Sequence, residues 1–278
     1  MNLDDFSHWE HDYLFLMRRV MQSGEQRNNR TGVDTVGLFA PGTIDISLEL
    51  GFPMVTTKLV RWKPVVEELL WFLRGEVTIT SLQERGVHFW DAWADEETGY
   101  VGPMYGYQWR HWRWAPTGRL YDQLAEALRQ IREEPESRRI IVSAWNVAAL
   151  DDMALPPCHL LYQFRVSKRG RLDCQVYIRS WDLLIGAPFN IASYALLTSL
   201  MAHCAGLKPG RLIICPGDAH VYVNHYEQVK VQLRRKVFRS PRLVLDPEIR
   251  EIADFTECWQ AQLNDYQYWP ALEAPVAV

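Results

Sequence analysis

The sequence predicts an α+β fold: one domain built on a single large mixed β-sheet backed by helices. Three observations lead there. Segments of helical and strand periodicity alternate without a regular βαβ rhythm. The run from Ile191 to Cys204 is apolar and rich in alanine and leucine, as a central core helix should be; it is too short to span a bilayer. No Ser/Gly/Pro-rich linker, charge block or internal repeat divides the 278 residues, so a single domain covering residues 1–278 is expected.

Each element has a local reason. Residues 6–23 place Phe6, Trp9, Tyr13, Leu14, Met17, Val20 and Met21 at helical spacing and end at Gly24, which predicts an amphipathic helix. Asn28-Asn29-Arg30-Thr31-Gly32 is a turn cluster. Residues 34–49 alternate and carry β-branched side chains, predicting one or two strands. Val65 to Leu73 predicts an apolar helix interrupted by Glu67 and Glu68. Residues 120–133 predict an amphipathic helix with charges on its outer face. Arg139 to Trp145 reads as a buried strand. Residues 160–166 and 172–177, joined by Ser167-Lys168-Arg169-Gly170, read as a hairpin, and Leu212 to Cys215 as a short strand.

Composition narrows the function classes. The chain is 48% hydrophobic and 23% charged, enough apolar material for a sizeable core. Its net charge of -4 gives no bulk attraction to nucleic acid, so any anion site must be a local arginine cluster. The five cysteines (158, 174, 204, 215, 258) are odd in number and widely spaced, which argues for a reducing compartment and against a disulfide framework. No CxxC or HExxH run appears, so no metal site is expected. The acidic N-terminus lacks an apolar signal-type stretch. A cytoplasmic protein (host cytoplasm for a viral one) with no membrane association is expected.

The chemistry concentrates around Leu155-Pro156-Pro157-Cys158-His159 and, about one hairpin later, Arg179-Ser180-Trp181-Asp182. A thiol becomes a useful nucleophile as a thiolate, and an adjacent cation lowers its pKa. The same cation can hold an anionic substrate beside the sulfur. Buried packing is the alternative role for such a cysteine; the flanking prolines and histidine favour a rigid, partly polar strand end. Arg30, Arg138, Arg139 and Arg179, with the Ser180 hydroxyl, suit a phosphate, or else lie as solvated surface charge. Glu67 and Glu68 point about 100° apart on a helix, so one is expected to face the interior, where burial suits it to proton transfer near neutrality. Asn190 offers one donor and one acceptor, which fits a uracil edge, or a helix N-cap. His220 and Tyr222 share one strand face and could reach a sugar hydroxyl or bond across the sheet. Twelve tryptophans, dense around Phe89-Trp90-Asp91-Ala92-Trp93 and Tyr107 to Trp114, would pack a core, wall a heteroaromatic cofactor, or form a single-strand nucleic-acid platform. The acidic balance counts against the platform.

Taken together, the ordered stretches Arg30-Thr31-Gly32, Gly51 to Lys58, Glu68 to Leu73, Trp90 to Ala94, Gly102 to Gly106, Ser137 to Ile140, Pro157-Cys158-His159, Arg179 to Asp182, Pro188 to Leu197, Gly217 to Tyr222 and Ala274 to Val278 resemble folate-dependent thymidylate synthases over nearly the whole chain. The resemblance implies one-carbon transfer from 5,10-methylenetetrahydrofolate to C5 of dUMP. Residue by residue, it implies that Cys158 adds to C6 of the pyrimidine. Arg30, Arg179, Ser180 and, from a second subunit, Arg138 and Arg139 would hold the phosphate. Asn190 would read the uracil edge, and His220 with Tyr222 the 3′-hydroxyl. Glu68 would organise proton transfer and Tyr105 would help remove the C5 proton. Asp182 would bind the pterin; Phe89, Trp90, Trp93, Leu155, Gly186, Phe189 and Val278 would wall the folate; Lys58 would lie near its tail. A sheet-to-sheet homodimer is implied too.

Two products remain open under the resemblance. Hydride transfer gives dTMP; capture by water, as in the similar phage nucleotide hydroxymethylases, gives hydroxymethyl-dUMP. Asparagine at 190 favours uracil in either case, because relatives acting on cytosine nucleotides tend to carry aspartate there. The chain departs from the usual synthase pattern at Ile178, Trp181, Glu67, Phe89 and Tyr266-Gln267-Tyr268-Trp269-Pro270, positions expected to cluster around the folate and the C-terminal lid. The retained Trp90 and C-terminus favour methylation.

Overall fold

The computed structural model describes residues 8–275. The first residues of the predicted N-terminal helix and the lid residue Val278 lie outside them. In chain order the elements are α1 (Trp9–Ser23), β1 (Glu25–Arg27), β2 (Thr35–Phe39), β3 (Ile44–Ser47), α2 (Trp62–Arg74), α3 (Thr80–Glu84), α4 (Gly106–His111), β4 (Trp112–Trp114), β5 (Arg119–Tyr121), α5 (Gln123–Glu133), β6 (Ile141–Ser143), β7 (His159–Val166), β8 (Arg171–Asp182), α6 (Gly186–Cys204), β9 (Lys208–Tyr222), α7 (Tyr226–Gln232), β10 (Arg242–Leu245) and β11 (Ala261–Asn264).

Seven strands form one mixed sheet in the order β1-β2-β9-β8-β7-β6, with β3 also pairing β9. The pair β8/β9 is parallel and its neighbours are antiparallel. A parallel pair requires a crossover, and α6 supplies it. Apolar on all sides, α6 is buried along almost its whole length, against β8, β9 and α2. The buried side chains form one continuous core.

Three expectations need correction. The predicted strand at 212–215 is the middle of a much longer one, β9, whose two halves pair with different partners: Arg211–Ile214 with β3 and Asp218–Tyr222 with β2. The core helix begins at Gly186, not Ile191, because Pro188 in the first turn needs no intrahelical donor. Strand β6 is confined to Ile141–Ser143, and Ile141 is exposed rather than buried.

The sheet positions the chemistry through its strand ends. Cys158 immediately precedes β7, and its carbonyl accepts from the Arg179 backbone N–H at 2.8 Å. Across the parallel pair, Ser180 sits opposite Asp218 and Asp182 opposite His220. The start of β7 and the ends of β8 and β9 therefore meet at one edge of the core.

Candidate active site

A cleft of ≈ 800 Å³ opens where these strand ends meet, within the range typical of small-molecule sites. Its lining includes Arg30, Glu68, Trp90, Trp93, Tyr105, Leu155, Cys158, Arg179, Ser180, Asp182, Gly186, Asn190, His220 and Tyr222. Residues spread over more than 190 positions of sequence are thus gathered at one place by strand ends, α2, the start of α6 and three loops.

Arg179 is locked in place by the two prolines that precede the cysteine. Its Nε donates to the Pro157 carbonyl at 2.9 Å and its Nη2 to the Pro156 carbonyl at 2.7 Å. The guanidinium also lies 5.7 Å from the Trp145 ring centroid, a cation–π distance. Without N–H donors the two prolines are poor ladder residues, and both of their carbonyls accept from the arginine. The cation is fixed beside the thiol.

Cys158 differs from expectation in its net titration. Burial pushes the thiol above its ordinary value, and Arg179, the Tyr105 hydroxyl and Arg30 only offset part of that rise. The cationic activation is present, but it works against desolvation.

Tyr105 closes the site from the side of the helices. Its hydroxyl accepts from the Cys158 backbone N–H at 2.9 Å, and its ring stacks on His159 with centroids 4.1 Å apart. Its φ of 34° is a conformation that non-glycine residues avoid, at a cost on the order of 1–3 kcal/mol. The next residue explains it. A Cβ on Gly106 would lie 2.1 Å from the Phe72 carbonyl oxygen, so α4 can begin only by backbone contact with α2. That approach holds Tyr105 in its strained conformation.

Glu68 and Trp90 form the opposite wall. The Trp90 indole N–H donates to Glu68 Oε1 at 2.9 Å. Burial lifts the Glu68 carboxyl to about 7, and the indole hydrogen bond opposes the shift. Such a group exchanges a proton near neutrality. Contrary to expectation, Glu67 is buried as well: its Oε2 lies 3.4 Å from Nη1 of Arg85, which also holds Glu257. A cation just past the end of α3 supplies a compensation that helix geometry alone does not reveal.

Trp93 and Leu155 continue the apolar wall. Phe89 and Phe189 are not part of the lining; half-buried, they pack on each other with ring centroids 5.6 Å apart. Lys58 is buried outside the lining; its Nζ donates to the Leu184 carbonyl, and burial lowers its pKa to about 8, against the attraction of Asp182. Asp182 in turn accepts from the Leu184 N–H at 3.0 Å. Asn190 is an interior residue of α6 rather than its N-cap, which is Ile185; its side chain is left to the cleft. His220 and Tyr222 do share a face, with ring centroids 5.4 Å apart. Arg138 and Arg139 are not brought to the cleft: they line a separate surface hollow with Glu133 to Ser137.

Sequence reasoning missed Thr35, Trp145, Ile185 and Asp218, all of which line the cleft. Asp218 had a signal, since it stands two residues before His220 on the same strand face. Trp145 had none, because its contact with Arg179 spans more than thirty residues of sequence. Among the described residues no cluster of three or more His, Cys, Asp or Glu could hold a metal ion, and no helix is long and apolar enough to cross a membrane.

A thiol under a fixed guanidinium, faced by a buried carboxylate and an aromatic wall, is a site suited to covalent addition chemistry on an anionic planar substrate. A family model described as Thymidylate synthase matches residues 11–278, and the chain belongs to that family. It is an enzyme of methyltransferase-like type, its reaction is one-carbon transfer to C5 of dUMP, and the family's co-substrate is methylenetetrahydrofolate.

Proposed function

We propose that this enzyme carries the reaction through to reductive methylation, converting dUMP to dTMP. One observation carries the reading. None of the positions that depart from the synthase pattern (Glu67, Phe89, Ile178, Trp181 and 266–270) lines the cleft. Ile178 and Trp181 are fully buried in β8, Glu67 is turned to Arg85, and the Tyr266 hydroxyl donates to the Val55 carbonyl at 2.6 Å. The walls that decide between hydride and water keep Trp90, Trp93, Leu155 and Tyr105.

In this reading Cys158 adds to C6 of the uracil, and the electron pair displaced to C5 makes that carbon nucleophilic. Arg30, Arg179 and Ser180 hold the phosphate, joined by Arg138 and Arg139 of the partner subunit. Asn190 reads the uracil edge; His220 and Tyr222 take the 3′-hydroxyl. Glu68, titrating near neutrality, organises proton transfer, and Tyr105 assists loss of the C5 proton. Methylenetetrahydrofolate supplies both the carbon and the hydride. Asp182, Trp90, Trp93, Leu155 and Gly186 receive it, with the Phe89–Phe189 pair outside the lining extending that wall, Lys58 towards its tail and Val278 over it. Excluding water from this region leaves hydride as the only acceptable donor to the nascent methyl group.

A sheet-to-sheet homodimer within one catalytic domain (residues 1–278), acting in the cytoplasm, completes the proposal. Its support is the exposure of Leu161 and Tyr177 on the sheet and of Arg138 and Arg139 beyond the cleft of their own chain. The direct test is product identification with dUMP and methylenetetrahydrofolate. Dihydrofolate plus dTMP is expected; tetrahydrofolate plus hydroxymethyl-dUMP would assign the enzyme to hydroxymethylation instead.

A further inference from the structure

Asp218 lines the cleft but has no part in the reaction as described above. Its Oδ1 lies 3.0 Å from His220 Nδ1. An ionised carboxylate only accepts, so the imidazole nitrogen facing it must carry the proton. The other ring nitrogen, Nε2, takes no hydrogen bond among the described residues, and His220 itself is nearly buried in the cleft wall.

The neighbouring strand makes room for this pair. Gly37 on β2 is the register partner of His220. A Cβ there would stand 3.1 Å from Asp218 Oδ1 and 3.2 Å from His220 Cβ, tighter than ordinary contact. Thr35, on the same face of β2, lines the cleft, so the pair sits on the substrate side of the sheet.

We propose that Asp218 is a positioning residue that holds His220 in the Nδ1–H tautomer, presenting Nε2 as an acceptor for the sugar 3′-hydroxyl. The inference rests on the dUMP reading of this site and deepens it. A neutral ring held this way accepts the hydroxyl proton, while the Tyr222 hydroxyl can donate to the same sugar oxygen. Without the carboxylate the ring is free to protonate Nε2, which would then face the hydroxyl as a second donor.

The test measures dissociation constants for dUMP and for its 3′-deoxy analogue, 2′,3′-dideoxyuridine monophosphate, on wild type, Asp218→Ala and Asp218→Asn. Asp218→Ala should weaken dUMP about tenfold, the scale of one unmet buried hydrogen bond. The analogue should be bound equally by wild type and variant, and Asp218→Asn, which keeps an acceptor oxygen, should recover part of the loss. An equal loss for both nucleotides would overturn the inference and reduce Asp218 to a structural role. Nitrogen-15 NMR of the wild-type His220 ring is independent of any variant's folding: a protonated Nδ1 is expected, and a protonated Nε2 with bare Nδ1 contradicts the proposal. Failure of wild type to bind dUMP at all would instead strike the functional reading beneath it.

Discussion

The two walls of the cleft are built differently. The wall proposed to hold the nucleotide comes from strand ends: Cys158 before β7, Arg179 and Ser180 on β8, His220 and Tyr222 on β9. Main-chain ladders and a buried crossover helix fix these groups, and the two departures on this wall's strand, Ile178 and Trp181, are turned into the core and do not line the cleft. The wall proposed to receive the folate comes from α2, a short 3₁₀ turn at Asp91–Trp93 and loops, held by side-chain contacts such as Trp90 on Glu68. The departures Phe89 and Tyr266 do not line the cleft either. The backbone-paired wall and the side-chain-packed wall thus share one feature: residues away from the cleft differ from the family pattern while the face that meets the cleft is kept.

The comparison breaks first at the sulfur. Cys158→Ser should lower turnover by at least about 10³-fold while leaving dUMP affinity within a few fold, because only the covalent step is lost. Comparable loss of nucleotide binding would show that the nucleotide wall is not preformed.

Glu68→Gln tests the folate wall's proton chemistry. A fall in kcat of about 10²-fold or more is expected. A stability effect of definite sign accompanies it. Burial raises the Glu68 carboxyl to about 7 in the folded protein from 4.5, so folding takes up a proton between those values. The stability tied to that proton is fully present below pH ~4.5 and lost as the pH rises through about 7. Wild type therefore loses roughly 3 kcal/mol over that window that the neutral variant does not. Denaturation midpoints should favour Glu68→Gln at pH 8 and converge near pH 4; no pH dependence of the difference would refute the buried titration.

Asn190→Asp should shift the preference from dUMP towards dCMP by one to two orders of magnitude, on the order of what a mispaired polar edge costs. Unchanged uracil selectivity removes Asn190 from base reading. The mildest change is Trp93→Ala, which should raise the KM for methylenetetrahydrofolate about tenfold through lost stacking and leave dUMP binding unaltered. An equal effect on both substrates would mean that the two walls are not independent.

The same division governs what the sequence made legible. That thiol, arginine, serine, asparagine and the histidine–tyrosine pair would meet in one cleft was readable because they stand within short, chemically distinctive runs. The length of β9 was hidden by Pro216-Gly217, which reads as a break but marks where the strand exchanges β3 for β2 as its neighbour. The start of α6 was hidden by Gly186-Ala187-Pro188, where a proline tolerated in a first turn looks like a terminator. Burial of Glu67 was invisible because its cation, Arg85, arrives from the end of a different element, just after α3. The net rise of the Cys158 pKa was equally hidden, since nearby charge can be read along a chain and desolvation cannot.

The central claim is that Cys158 forms a bond to C6 of the uracil as a step on the way to transfer at C5. Intact-protein mass measurement with 5-fluoro-dUMP and methylenetetrahydrofolate tests it most directly, because fluorine at C5 removes the proton that must leave. The account predicts a stable mass increase equal to nucleotide plus folate, mapped by digestion to the peptide carrying Cys158. Unmodified protein, or an adduct on Cys174, Cys204, Cys215 or Cys258 instead, would contradict it.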